Sequence, residues 1–170
     1  MVELKRRYFP DVSLRDLRTT IGVVLICQRS GSLLYRASER THDMQISRAL
    51  REAAKKRVSL ARQIIPKTEL EKPAVASIEN QFEREISMYG DLEERIASEE
   101  DLEITRRWVE EFHSADLKVL RSLRSMARTV ESRSLATRLS ALVATYWLSS
   151  EKLFQKYVCR PTALNAQSLY

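Results

Sequence analysis

Residues 73–96 read PAVASIENQFEREISMYGDLEERI, and their apolar positions decide the fold. Val75, Ile78, Phe82, Ile86, Tyr89, Leu92 and Ile96 recur at spacings of three and four, which puts them on one face of an amphipathic helix. The same period continues in both directions. Downstream, Ser98 followed by Glu99, Glu100 and Asp101 predicts the capped, acid-rich start of a helix carrying Leu102, Val109, Phe112, Val119, Leu120, Leu123 and Met126. Arg121, Arg124 and Arg128 stand near its end. A last helix over 132–158 holds Leu135, Leu139, Leu142, Val143, Tyr146, Trp147, Leu153, Phe154 and Tyr157, an apolar face broad enough to be covered on two sides. Upstream, Ser13 caps a helix with Leu14, Leu17, Ile21, Val24, Gln28, Gly31 and Tyr35 on its stripe, with Asp16 adding favourable charge to the first turn. That helix is expected to end near Arg40. Thr41 or Asp43 then caps a second one bearing Ile46, Leu50, Ala53, Ala54, Arg57, Leu60 or Ala61, and Ile64.

These segments predict an all-α chain, a single helical domain over 1–170. It divides into a first hairpin (14–65), a proline-bounded linker (66–73), a second hairpin (74–128) and an additional C-terminal helix (132–158), with a loose tail from Pro161. Fully extended, the linker reaches at most about 30 Å, enough for a crossover along the bundle, which is favoured here over a short up-down turn.

Composition agrees. The 170 residues are 44% hydrophobic and 31% charged, and only three glycines and four prolines are present, too few for a chain of hairpins and tight turns. No apolar run approaches the roughly 18–20 residues of a membrane span, and the start, Met-Val-Glu-Leu-Lys-Arg-Arg-Tyr, lacks the apolar core of a signal peptide. A cytoplasmic protein is expected. Cys27 and Cys159 have neither the spacing of a zinc site nor that of a disulfide framework. The net charge of +6 raises nucleic-acid binding as an alternative function. Against it, the basic residues are spread along every helix, residues 79–103 are acidic, and no aromatic platform is interleaved with the cations.

Phe82-Glu-Arg-Glu-Ile-Ser-Met-Tyr89-Gly-Asp-Leu, followed by Glu110-x-x-His113, resembles the ferritin-like superfamily, and its Glu-Ile-Ser-Met-Tyr-Gly-Asp-Leu portion is similar to the YciF-type bacterial stress proteins within it. The resemblance implies a ferritin-like four-helix bundle with a di-iron or di-manganese site and a part in the stress response. It also implies where the six metal ligands would fall. Those positions are occupied by Gln28, Ala54 and Arg57 in the first hairpin and by Phe82, Glu110 and His113 in the second. Four of the six depart from the pattern, and Glu110 with His113 cannot alone hold two divalent ions. The resemblance therefore implies a vestigial cluster of Gln28, Arg57, Phe82, Glu110 and His113, with Arg57 turned inward to meet Glu110 or Gln28 and no cofactor expected.

Glu79 and Glu83 are the carboxylates nearest Phe82 and, with Glu110 and His113, the residual metal candidates. Glu39-x-x-His42 repeats the spelling but falls at a hairpin turn, where a cap contact is the expectation. Tyr146, Trp147, Phe154 and Tyr157 are the expected interface, to a second copy in a homodimer or to an unidentified protein partner. Phosphate loops, nucleophile elbows and nucleotide fingerprints are missing from the sequence. The expectation is a non-enzymatic helical bundle acting by self-association or partner binding, with a metal-binding oxidoreductase or storage protein as one alternative and a basic nucleic-acid-binding bundle as the other.

Overall fold

The structure, a computed structural model, describes residues 2–65, 72–98 and 103–158. Those residues form eight helices and no strand: α1 (Val2–Tyr8), α2 (Leu14–Ser38), α3 (Met44–Ile64), α4 (Lys72–Gln81), α5 (Glu83–Ser87), α6 (Gly90–Ser98), α7 (Arg106–Arg128) and α8 (Arg133–Tyr157). Linker residues 66–71, the expected start of the fourth helix from Glu99 to Leu102, and Cys159 with the tail lie outside the described residues. No described helix is long and apolar enough to cross a membrane.

The helix starts follow the chemistry of their caps. Ser13 Oγ accepts the Asp16 amide at 3.0 Å, and Asp43 Oδ1 accepts those of Gln45 and Ile46 at 2.8 and 3.1 Å. Ser98, expected as a cap, is instead the last residue of α6, donating its hydroxyl to the Glu94 carbonyl at 2.6 Å. The cap of α7 is Thr105. Asp16 does more than place charge in a first turn. It is buried, and its Oδ2 accepts the amides of Glu131 and Ser132 at 3.0 and 2.8 Å, tying the α7–α8 turn to the start of α2.

The four corners of the bundle are α2, α3, α8 and α7, in that order around its axis. At the opposite end from Asp16, the Ile104 amide donates to the Arg40 carbonyl at 3.2 Å, so α7 runs antiparallel to α2. This places the last helix differently from expectation. Instead of an addition to a finished bundle, α8 is a corner of it, with Leu135, Leu139, Leu142, Val143, Tyr146 and Leu153 buried. Its broad apolar face is covered by α3 on one side and α7 on the other.

The segment expected as one continuous third helix is displaced and kinked. Short i→i−3 bonds appear at both breaks, Phe82 to Glu79 and Tyr89 to Ile86. In a straight helix Phe82 and Tyr89 would share one stripe. The kinks aim them separately, the Phe82 ring onto Gly22, where any Cβ would collide with it, and the Tyr89 side chain into the bundle centre. The α4–α6 run follows α2 upward: Phe82 meets Gly22, Glu93 pairs with Arg29 and Arg36, and Arg40 donates to the Ile96 carbonyl at 3.0 Å. It is thus parallel to α2 and antiparallel to α3. The end of α3 and the start of α4 therefore lie at the same end of the bundle, where the favoured crossover would have set them at opposite ends. Two smaller departures complete the fold: α1 was not expected and buries Leu4, and Tyr35, counted on the α2 stripe, is 46% exposed in the valley between α2 and α3.

Candidate functional site

At the bundle centre, every corner helix contributes a polar group. Arg57 of α3 and Asp116 of α7 are 0% and 1% exposed, and they form a two-pronged ion pair, Nη2 to Oδ2 at 2.6 Å and Nη1 to Oδ1 at 3.2 Å. A buried charge needs a partner, and a guanidinium meets a carboxylate best in this forked geometry. The remaining donors are also used: Nε to Ser149 Oγ at 2.9 Å, Nη1 to Ser30 Oγ at 3.0 Å, and Nη2 to the Tyr146 carbonyl at 3.4 Å. All five guanidinium hydrogens therefore have acceptors. Asp116 Oδ1 also accepts the hydroxyls of Tyr89 at 2.6 Å and Tyr146 at 2.7 Å, and those two hydroxyls touch each other. The Tyr146 ring lies 4.0 Å from the Arg57 guanidinium carbon, and Trp108, Phe112 and Tyr89 stack in sequence beside it.

Electrostatics here stabilise structure rather than reactivity. Burial acts most strongly and would lower the Arg57 pKa, but its neighbours, Asp116 foremost, together raise it above the ordinary value and hold the side chain charged. Burial, then the negative Asp116, pushes both Tyr89 and Tyr146 well above the ordinary phenol range. Cys27 is pushed up to about 12 by burial, only partly countered by Arg57, which leaves an unreactive thiol.

The expected cluster is thus only partly assembled. Arg57 turns inward as anticipated, but its carboxylate is Asp116 and neither Glu110 nor Gln28 is among its partners. Glu110 is on the surface, held by Arg106 one turn away at 3.0 Å. Gln28 is half-buried, and its amide nitrogen has no partner among the described residues; the same holds for the indole nitrogen of Trp108. Phe82 sits at Gly22, about 9 Å of helix below Gln28. Glu79 is half-buried, Glu83 and His42 are exposed, and among the described residues no three His, Cys, Asp or Glu side chains gather as a metal site would require. Of the expected interface, Tyr146 belongs to the central network. Phe154 stacks on His113 at 4.2 Å, the Tyr157 hydroxyl donates to the Ile104 carbonyl at 2.5 Å, and Trp147 lies under Arg124. The α8 aromatics are largely spent on their own bundle.

Asp116 was the residue that sequence reasoning missed. It sits four residues after Phe112 and three before Val119, inside the apolar stripe of α7, as Arg57 does inside that of α3. One cation and one acid on two otherwise apolar stripes are the signal of a buried pair.

A second constellation superficially resembles a hydrolytic one. His113 Nδ1 is 3.0 Å from Ser150 Oγ, and its Nε2 is 3.6 Å from Glu151 Oε1. Acyl transfer further requires free N–H donors aimed at a developing oxyanion. Ser150 is 4% exposed in the middle of α8, where neighbouring amides are engaged in the helix itself, so the trio fixes α7 to α8.

The valley between α2 and α3 holds a cavity of about 840 Å³. Gly31, Ala54 and Val58 form its floor, because a Cβ at Gly31 would come within 2.7 Å of Val58 Cγ2 and 3.3 Å of the Ala54 carbonyl. Arg36, Lys55 and Arg62 form its rim, and among the described residues no carboxylate lines it. Comparison of the chain with family models, with curated proteins and with solved structures found no match in any of the three.

Proposed function

We propose that this chain is a non-enzymatic helical bundle that works by binding an anionic macromolecular partner on its α3 flank. One observation carries the reading: α3 exposes Arg48, Arg51, Lys55, Lys56 and Arg62 against Glu52 alone. The acidic residues are concentrated elsewhere, on α4–α6 and the start of α7. A local excess of cations of this kind draws an oppositely charged partner, and α7 exposes a further group in Lys118, Arg121, Arg124 and Arg128. The sealed interior supports the non-enzymatic part of the reading, since the polar groups gathered on Arg57 and Asp116 are inaccessible to a substrate and satisfy one another. The ferritin-type metal alternative draws no support from Glu110 and His113, whose side chains take separate partners. Binding of fluorescent polyglutamate and of duplex DNA, followed by anisotropy, tests the reading. Affinity should fall as salt rises and drop by about tenfold or more in a Lys55→Glu, Lys56→Glu, Arg62→Glu variant. If the wild type binds neither probe, or the variant binds both unchanged, the reading is wrong.

Self-association keeps one specific support. Ala141, Ala144 and Leu148 form an exposed small apolar stripe on α8, with Leu148 59% exposed. A second copy could cover it, and that reading fails if Leu148→Glu leaves the mass by light scattering unchanged.

A further inference from the structure

Resting on that reading, we infer that the α2–α3 valley is the seat of one class of partner: an amphipathic helix of another protein with acidic flanks. Shape is the first ground. Gly31 lets α2 and α3 close on each other, leaving a shallow trough with small apolar residues at its floor and the exposed ring of Tyr35 at one end. A trough between two close-packed helices accepts the ridge of a third. The chain already uses this geometry, since α4–α6 lies along α2 and reaches α7 through the Tyr89–Phe112 stack and the Arg95–Glu111 pair. The α2–α3 valley is its uncovered counterpart among the described residues.

Charge is the second ground, and it selects the occupant. Arg36 already holds Glu93 at 3.4 Å, while Lys55 and Arg62 make no ion pair among the described residues. Their charges are therefore available along the α3 rim. A second copy seated here by two-fold symmetry would set Lys55 and Arg62 against their own equivalents, and like charges repel. Nucleic acid is disfavoured by the apolar floor, which offers phosphates nothing, and by Tyr35 being the one aromatic side chain in the lining among the described residues. An apolar ridge flanked by glutamates satisfies floor and rim together. Lining residues on α3 run from Ala54 to Gln63, about 14 Å of helix, so the seated segment spans roughly three turns with anchors at i, i+3 or i+4, and i+7.

A displayed library of helical peptides, selected on the full chain, tests this. Stripe positions vary among Leu, Ile, Phe and Ala, and flank positions among Glu, Gln and Lys. Selected helices should be enriched in flanking Glu. Their affinity should drop by about tenfold or more in a Lys55→Glu, Arg62→Glu variant, and be lost in Ser59→Trp, which plugs the trough from an exposed position and whose folding circular dichroism checks. Selection without flank preference, or binders unaffected by both variants, overturns the inference. If polyglutamate or DNA still binds in an α3-dependent way while no acidic helix is selected, the wider reading stands and only this occupant falls. If nothing anionic binds, both fall.

Discussion

Arg57 is fully buried, yet its five hydrogen-bond donors and its charge are all met within the bundle. Burying an ion pair is no gain over burying apolar side chains of the same volume, but breaking one is costly because the survivor is stranded. Arg57→Leu and Asp116→Leu should each destabilise by about 3–5 kcal/mol in urea unfolding, and the double variant should recover much of that loss. Additive losses would show that the two residues do not act as a pair. The tyrosines give a pH signature. Because Tyr89 and Tyr146 are raised above the ordinary value, the unfolded chain releases their protons first as pH climbs. Their contribution is complete below about pH 10 and is lost above it, by up to about 1.4 kcal/mol per pH unit for each. An alkaline titration followed in the tyrosinate ultraviolet band should leave two of the six tyrosines silent until the chain unfolds. Removing both hydroxyls, in Tyr89→Phe with Tyr146→Phe, should flatten that alkaline loss.

At the scale of elements, the three glycines of this chain do three different things, and alanine at each position separates them. Gly22 is where the Phe82 ring presses on α2, so Gly22→Ala should destabilise by about 1–3 kcal/mol, and Phe82→Leu should relieve part of the clash. Gly31 sets the approach of α2 to α3, and its alanine meets Val58 and the Ala54 carbonyl; a cost near 1 kcal/mol is expected. At Gly90 nothing lies within 4 Å of a new Cβ and no positive φ is involved, so Gly90→Ala should stabilise α6 by about 0.5–1 kcal/mol. Urea midpoints of the three variants decide it, and the order Gly22, Gly31, Gly90 from most to least harmful is the checkable content. These sites also show why the third helix did not read correctly from its period. Its apolar stripe was real, but the demand that Phe82 and Tyr89 reach different targets is imposed by α2 and α7, and periodicity within one segment carries no record of it.

For the whole molecule, charge segregation predicts how ionic strength acts. Surface pairs such as Arg106–Glu110 and Arg107–Glu111 are solvent-exposed and contribute little, so salt should barely move stability. Binding at the α3 flank should instead weaken steadily between low salt and about 0.15 M, where charges are screened within about 8 Å. A stability that fell steeply with salt, beside a binding affinity that did not, would reverse the roles assigned to interior and surface. The trough itself needs the close α2–α3 approach, so Gly31→Ala should weaken acidic-helix binding more than its small stability loss accounts for.

The sequence by itself determined the helices that periodicity could see: four long ones, capped by Ser13 and Asp43, with Arg57 as an unusual cation on an apolar stripe. Those features are local, because a cap, a stripe or a proline acts within a turn or two of itself. Which helices became corners was decided only in three dimensions. The broad face of α8 competed successfully with the narrower one of 73–96 for the groove beside α3, and the displaced segment bent to follow α2 and α7. The pairing of Arg57 with Asp116, 59 residues away, belongs to the same level. Local pattern marks a residue as buried, but only the packing of α3 against α7 and α8 selects which of the chain's carboxylates meets it.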